Sequence, residues 1–236
     1  MTEHIGIAAC TAEGAALCYQ TICAEGARRL GPYAHPEISM HTPSFAQYMR
    51  CMGANDWDGV GELLLASAHK LAQVGADFLI CPANTMHKAF PLIQRRSPLP
   101  WLHIVDAVAA EARARGFRCI GITGTRALVN SGIYDEKLEA AGLKSIRPGA
   151  SEEIAEMDRI VFQELNRGVF SPEAIQFLQG VCVWLKEQGC DAVVLGCTEF
   201  PLIMNDSNSP LPTLDSTRLL ARAALERAVS GSKAAT

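Results

Sequence analysis

Gly75-Ala-Asp-Phe-Leu-Ile-Cys-Pro-Ala-Asn-Thr85 and Gly189-Cys-Asp-Ala-Val-Val-Leu-Gly-Cys-Thr-Glu199 share a glycine, an aspartate and a four-residue apolar run in the same order, 114 residues apart. Two further matches keep the order and almost the offset. Ile5-Gly-Ile-Ala-Ala-Cys-Thr11 lies over Ile120-Gly-Ile-Thr-Gly-Thr-Arg126, each followed at one distance by a tyrosine, Tyr19 and Tyr134. Ser97-Pro-Leu-Pro-Trp-Leu102 recurs as Ser209-Pro-Leu-Pro-Thr-Leu214. Three ordered matches at nearly one spacing mark an internal duplication, and a repeat sets the fold before any local pattern does. The chain of 236 residues, an awkward length for either one domain or two, therefore reads as two similar halves.

Each half alternates strand with helix. Short apolar runs at Ile5 to Ala9, Phe78 to Cys81, Cys119 to Thr123 and Ala192 to Leu195 have the composition of strands buried on both faces. Glu37 to His41 is a weaker strand. Gly59 to Val74 places Val60, Leu63, Leu64, Ala68 and Leu71 at helical spacing. Ser171-Pro-Glu opens a helix with an N-cap and a proline at the first position, running to about Gln188. Alternation of this kind predicts an α/β class with parallel sheets and right-handed crossovers, and functional residues gather at the carboxyl ends of such strands. The two Ser-Pro-Leu-Pro segments are expected to be the crossings between halves, because proline resists both helix and central strand. This gives a first domain of residues 1–96 with 213–236, including a returning helix from about Asp215 to Val229, and a second domain of 97–212. Ser230 to Thr236 is expected to be a frayed tail.

Composition narrows the function classes. Hydrophobic residues make up 49% and charged residues 19%, with a net charge of −4 and no basic run, so a polyanion such as nucleic acid is a poor partner. Met1 to Cys10 lacks the basic start and long apolar core of a secretory signal, and no apolar stretch approaches a bilayer span; a cytoplasmic location and no membrane contact are expected. Nine cysteines include no Cys-x-x-Cys pair, which suits reduced thiols. The six histidines show no metal-ligand spacing, so no metal is expected. The first strand lacks the Gly-x-Gly-x-x-Gly of dinucleotide sites and no Walker sequence occurs, which argues against nucleotide chemistry.

By the repeat, Ala83 and Cys197 are equivalent positions, each two residues beyond its strand. A pseudo-two-fold pair of strand ends suits chemistry that addresses one carbon from both faces, such as racemisation by two acid/base groups. A thiol can serve, since its ordinary pKa of about 8.5 lets thiol and thiolate coexist near neutrality.

Gly196-Cys197-Thr198-Glu199 followed by Phe-Pro-Leu-Ile resembles the second signature of the aspartate/glutamate racemase superfamily, and Pro82-Ala83-Asn84-Thr85-Met86-His87 resembles the first, where the second residue is usually cysteine. The resemblance runs over nearly the whole chain, including Gly124-Thr125 and Leu102-His103-Ile104. It implies two pseudo-two-fold-related Rossmann-like domains, each with a mainly parallel sheet and the active site in the cleft between them, no cofactor, a small carboxylate or amino-acid substrate, and commonly a homodimer. It also implies that Cys197 is catalytic, that Asn84, Thr85 and Thr198 hold substrate carboxylates and that Thr125 lines the site; Thr42, from its place after the strand ending at His41, and Thr11, in the first loop, are read as further lining residues. The superfamily includes hydantoin racemases, maleate isomerases and arylmalonate decarboxylases.

The sequence departs from the pattern at Ala83, whose methyl group can neither give nor take a proton, and at Leu128, where a second threonine is common. The first loop, Ala8-Ala9-Cys10-Thr11-Ala12-Glu13-Gly14, brings Cys10 near the expected site. Four explanations stay open: Cys10 replaces the missing thiol, with Cys81 a weaker substitute about 6.6 Å deeper along the strand; Cys197 works alone, as in a decarboxylase that protonates a carbanion; the protein binds small carboxylates without turning them over; or Ala83 is an engineered change that disables a racemase. Glu199 is read as orienting its loop. His87 and His103 are read as structural. Arg50, Arg126 and Arg147 are candidates for a distal carboxylate.

Overall fold

A computed structural model describes residues 2–231 of the chain. They fall into two compact units, one of residues up to Ile104 and from Thr217 onward, the other Val105–Ser216. The first holds strands β1 (Ile5–Ala8), β2 (Ile38–His41), β3 (Phe78–Ile80) and β4 (Trp101–Leu102); the second holds β5 (Cys119–Thr123), β6 (Lys144–Ile146), β7 (Ala192–Leu195) and β8 (Thr213–Asp215). Both sheets are four-stranded and wholly parallel, with orders β2-β1-β3-β4 and β6-β5-β7-β8.

The duplication holds to the residue. Ile5 pairs with Phe78 in the first unit, and Ile120 with Ala192, their repeat equivalents, in the second. The matching glycines and aspartates have the same physical task in each half. Gly75 and Gly189 follow the helices Trp57–Gln73 and Pro172–Glu187 with φ of 89° and 91°, the left-handed conformation that glycine enters without a Cβ penalty. The next amides, Ala76 and Cys190, donate to Leu71 and Leu185 carbonyls at 3.0 Å and close the helix ends. Asp77 then accepts the His4 amide at 2.8 Å, and Asp191 accepts those of Arg118 and Cys119 at 2.8 and 3.1 Å. Each aspartate thus braces the entry of its unit's central strand.

β1, β3 and β7 are buried along their whole length and β5 along all but its first residue. The helix Trp57–Gln73 presents Val60, Leu64, Ala68 and Leu71 inward, as its periodicity predicts. Gly6 and Gly121, another repeat pair, lie under large side chains: a Cβ at Gly121 would stand 2.7 Å from Leu185 Cδ1, and one at Gly6 2.6 Å from Leu79 Cδ2.

Two expectations change. The Ser-Pro-Leu-Pro segments lead into edge strands of their own units, β4 and β8, and the chain passes between units only after them. Proline is compatible because it precedes an edge strand and still offers its carbonyl: Pro100 and Pro212 accept the Leu79 and Val193 amides at 2.9 Å each. The matched tyrosines also part company. Tyr19 is exposed on the long helix Ala12–Leu30, whereas Tyr134 is buried beside Ser216. In the second unit the same stretch is broken into helices Arg126–Val129 and Ile133–Ala140 around Gly132, which resets the helical phase. The C-terminal helix is Ser216–Ser230; of the expected tail beyond it, residues 232–236 lie outside the described residues. No helix among the described residues is long and apolar enough to cross a membrane.

Candidate functional site

In the second unit the carboxyl ends of β5 and β7 lie side by side. The Gly196 amide donates to the Thr123 carbonyl at 3.0 Å, and a Cβ on Gly196 would stand 2.4 Å from that oxygen and 2.5 Å from Leu128 Cδ2. Only glycine lets the loop after β7 pass so close to β5. Leu128 is therefore a packing residue against this turn, which accounts for an apolar side chain there. Thr123 Oγ1 donates to the Val194 carbonyl at 2.6 Å, and Ser216 Oγ donates to that of Leu195 at 3.0 Å. These bonds fix the strand end from both sides.

Cys197 follows Gly196, and its thiol donates to Glu199 Oε2 at 2.8 Å. Cys197, Thr198 and Glu199 are all buried, at 8%, 8% and 3% exposure. Burial pushes the Cys197 thiol well above its ordinary pKa, and the neighbouring Glu199 carboxylate adds to the shift through its charge and by accepting the S–H bond. The resting sulfur is a protonated donor. This contact gives Glu199 a direct partner in Cys197, beyond the orienting role read from the sequence. Two residues of spacing in a loop carry no periodic signal, so the pairing appears only once the turn is folded. Thr125 is half-buried and its carbonyl accepts the Leu128 and Val129 amides at 2.9 Å each.

In the first unit, Cys10 follows β1, and Ala83 ends the extended segment after β3. Cys10, Cys81 and the half-buried Ala83 share one apolar cluster with Tyr48, Met86 and Phe90. Desolvation, with a smaller contribution from Cys81, drives the Cys10 thiol far up; burial holds Cys81 up at about 12. Thr11 stands at the N-cap of Ala12–Leu30 with its buried Oγ1 unpartnered among the described residues, and Thr42, just beyond β2, is exposed. Asn84 is buried and Thr85 half-buried at the start of the short helix Asn84–Ala89. His87 donates from Nε2 to the Cys81 carbonyl at 3.0 Å, stacks on Phe90 and meets His103 edge to face, a structural arrangement for both histidines.

The candidate arginines divide. Arg126 pairs with Asp158 at 3.3 Å, and Arg147 with Asp135, so both guanidinium groups already face a carboxylate. Arg50 is exposed on the helix Phe45–Gly53. Among the described residues no group of three His, Cys, Asp or Glu side chains is placed to hold a metal ion.

Comparison with known proteins follows the same lines. A profile of the Asp/Glu/hydantoin racemase family matches residues 7–224. The broad specificity amino-acid racemase RacX of Bacillus subtilis is 26% identical over 170 residues, 71% of this chain and 71% of that one. A glutamate racemase of Hydrogenobaculum is 28% identical over 155 residues, which are 63% of this chain and only 56% of the relative. The structure of an aspartate racemase homologue from Pyrococcus horikoshii superposes with a TM-score of 0.84 at 28% identity, covering 97% of this chain and all of that one.

Proposed function

Because this chain belongs to the Asp/Glu/hydantoin racemase family, we propose that it is a cofactor-independent, racemase-like isomerase that exchanges the α-proton of aspartate, glutamate or a related small carboxylic acid. The observation that carries this reading is the Cys197 thiol at the end of β7, buried and hydrogen-bonded to Glu199 at 2.8 Å. Held protonated by burial, Cys197 is the acid that delivers a proton to a planar carbanion; the thiolate left by that transfer is the base for the reverse step. Asn84, Thr85, Thr125 and Thr198, with Thr11 and Thr42, hold the substrate carboxylates through hydroxyl, amide and helix-start N–H groups. Cys10 is the substitute for the second thiol that Ala83 lacks. The reading carries with it a homodimer in the cytoplasm.

A second reading is favoured by one observation. Ala83 has no exchangeable proton, and both nearby thiols, Cys10 and Cys81, are held firmly protonated in an apolar cluster. That arrangement supports one-sided chemistry, in which Cys197 protonates a carbanion left by decarboxylation of a malonate.

Cα deuterium incorporation in D2O, followed by NMR for each enantiomer of aspartate and glutamate, tests the choice. Exchange that disappears in Cys197→Ala supports the isomerase. Carbon dioxide release from a malonate without exchange supports the second reading, and binding by calorimetry with neither reaction overturns both.

A further inference from the structure

The amino end of the second sheet carries a feature that the carboxyl-end chemistry does not use. Cys119 opens β5 and Cys190 immediately precedes Asp191 and β7, and their sulfurs are 3.8 Å apart. The surrounding backbone holds them there: the Asp191 amide donates to the Cys119 carbonyl at 2.9 Å, while the Asp191 carboxylate accepts the Cys119 amide at 3.1 Å. A disulfide bond is roughly 2.05 Å long, so sulfurs held 3.8 Å apart need only a small further approach to bond.

We propose that Cys119 and Cys190 are a peroxide-responsive thiol pair that closes to a reversible disulfide. Cys119 is half-exposed and Cys190 is buried, so the oxidant meets Cys119 first. The Cys119 thiolate attacks one oxygen of hydrogen peroxide; the O–O bond breaks, a sulfenic acid forms, and the departing hydroxide takes a proton to become water. The Cys190 sulfur then attacks the sulfenic sulfur, the S–O bond breaks, and the hydroxide leaves as water with the Cys190 proton. Two thiols and one peroxide give one disulfide and two waters, and a dithiol reverses the step. Burial, with Cys119 alongside, raises the Cys190 thiol, so Cys190 is not the sulfur that meets the oxidant first and it brings its own proton to the departing hydroxide. Cys23 and Cys51 are also half-exposed.

The strands involved are those that carry Thr125 and Cys197 at their other ends, so the bond clamps the base of the unit and leaves the Cys197 sulfur unchanged. Oxidation therefore raises the melting temperature without consuming the thiol proposed for chemistry.

The test treats the reduced full chain with a limiting amount of hydrogen peroxide and maps it by mass spectrometry under non-reducing conditions. The expected result is the loss of two hydrogens, a Cys119–Cys190 linked peptide formed before modification of Cys23 or Cys51, a higher melting temperature, and reversal by dithiothreitol. In Cys190→Ser the link is gone and dimedone captures a Cys119 sulfenic acid that the parent chain does not accumulate. Prior oxidation of Cys23 or Cys51, overoxidation of Cys119 without a link, or equal dimedone capture in parent and variant each overturns the proposal.

Discussion

Glu199→Gln is the most informative single change, because it removes a charge while keeping the shape and the acceptor oxygen. Deprotonating Cys197 places a thiolate 2.8 Å from Glu199 Oε2 in a buried loop. At an effective dielectric of about 20 the repulsion between two unit charges at that distance is about 6 kcal/mol, equivalent to about four pKa units. Even a quarter of it makes the thiolate about tenfold more abundant at a given pH. Burial persists in the variant, so the thiol stays above its ordinary pKa but falls well below the parent. The assay is the rate of Cys197 alkylation by iodoacetamide against pH, read on the Cys197 peptide, with circular dichroism to confirm folding. Glu199→Gln is expected to alkylate faster at every pH below the parent midpoint, since the thiolate is then easier to form. Coincident alkylation profiles in parent and variant would show that the carboxylate does not govern this thiol.

Three further outcomes are expected. Ala83→Cys restores a titratable group at the repeat equivalent of Cys197 and raises racemisation by roughly a hundredfold, the usual scale of general acid–base assistance; a folded variant that binds substrate without this gain refutes the role assigned to that position. Gly121→Ala and Gly6→Ala each force a Cβ against a leucine, at 2.7 and 2.6 Å, and should cost about 1–3 kcal/mol in urea unfolding; losses below about 0.5 kcal/mol in both would contradict the packing. Cys182 is raised by burial from 9.0 to about 11; a folded pKa above the unfolded one means that its contribution is fully present below pH 9 and is lost as pH rises toward 11. Cys182→Ala should therefore flatten the fall in stability across that window by about 1.4 kcal/mol per pH unit, and an unchanged slope counts against the assignment.

The sequence reads clearly where burial is two-sided. β1, β3, β5 and β7 are apolar because helices cover both faces of a parallel sheet, and those four runs stand out by composition alone. β6, Lys144-Ser145-Ile146, is an edge strand with an exposed lysine, and β4 has two residues; so short a run leaves no period to detect. The repeated glycines and aspartates were visible as matches, but their cause was not, since an aspartate that accepts amides more than seventy residues away leaves no local trace. At the candidate site, Cys197 could be singled out by its place after a strand, whereas its partner Glu199 depends on the turn that Gly196 allows. Arg126 and Arg147 illustrate the converse: both looked available until Asp158 and Asp135, distant in sequence, were seen to occupy them.

The brace made by Gly75 and Asp77, and again by Gly189 and Asp191, separates holding from reacting along a single strand. The glycine and the aspartate that precede the strand hold its entry, and the methyl of one half and the thiol of the other lie beyond its last residue. Exchanging thiol for methyl at the far end leaves the register, the helix stop and the carboxylate brace untouched. Such a frame tolerates a change of side chain beyond the strand without a change of architecture: Ala83 and Cys197 differ while the register beneath them is the same.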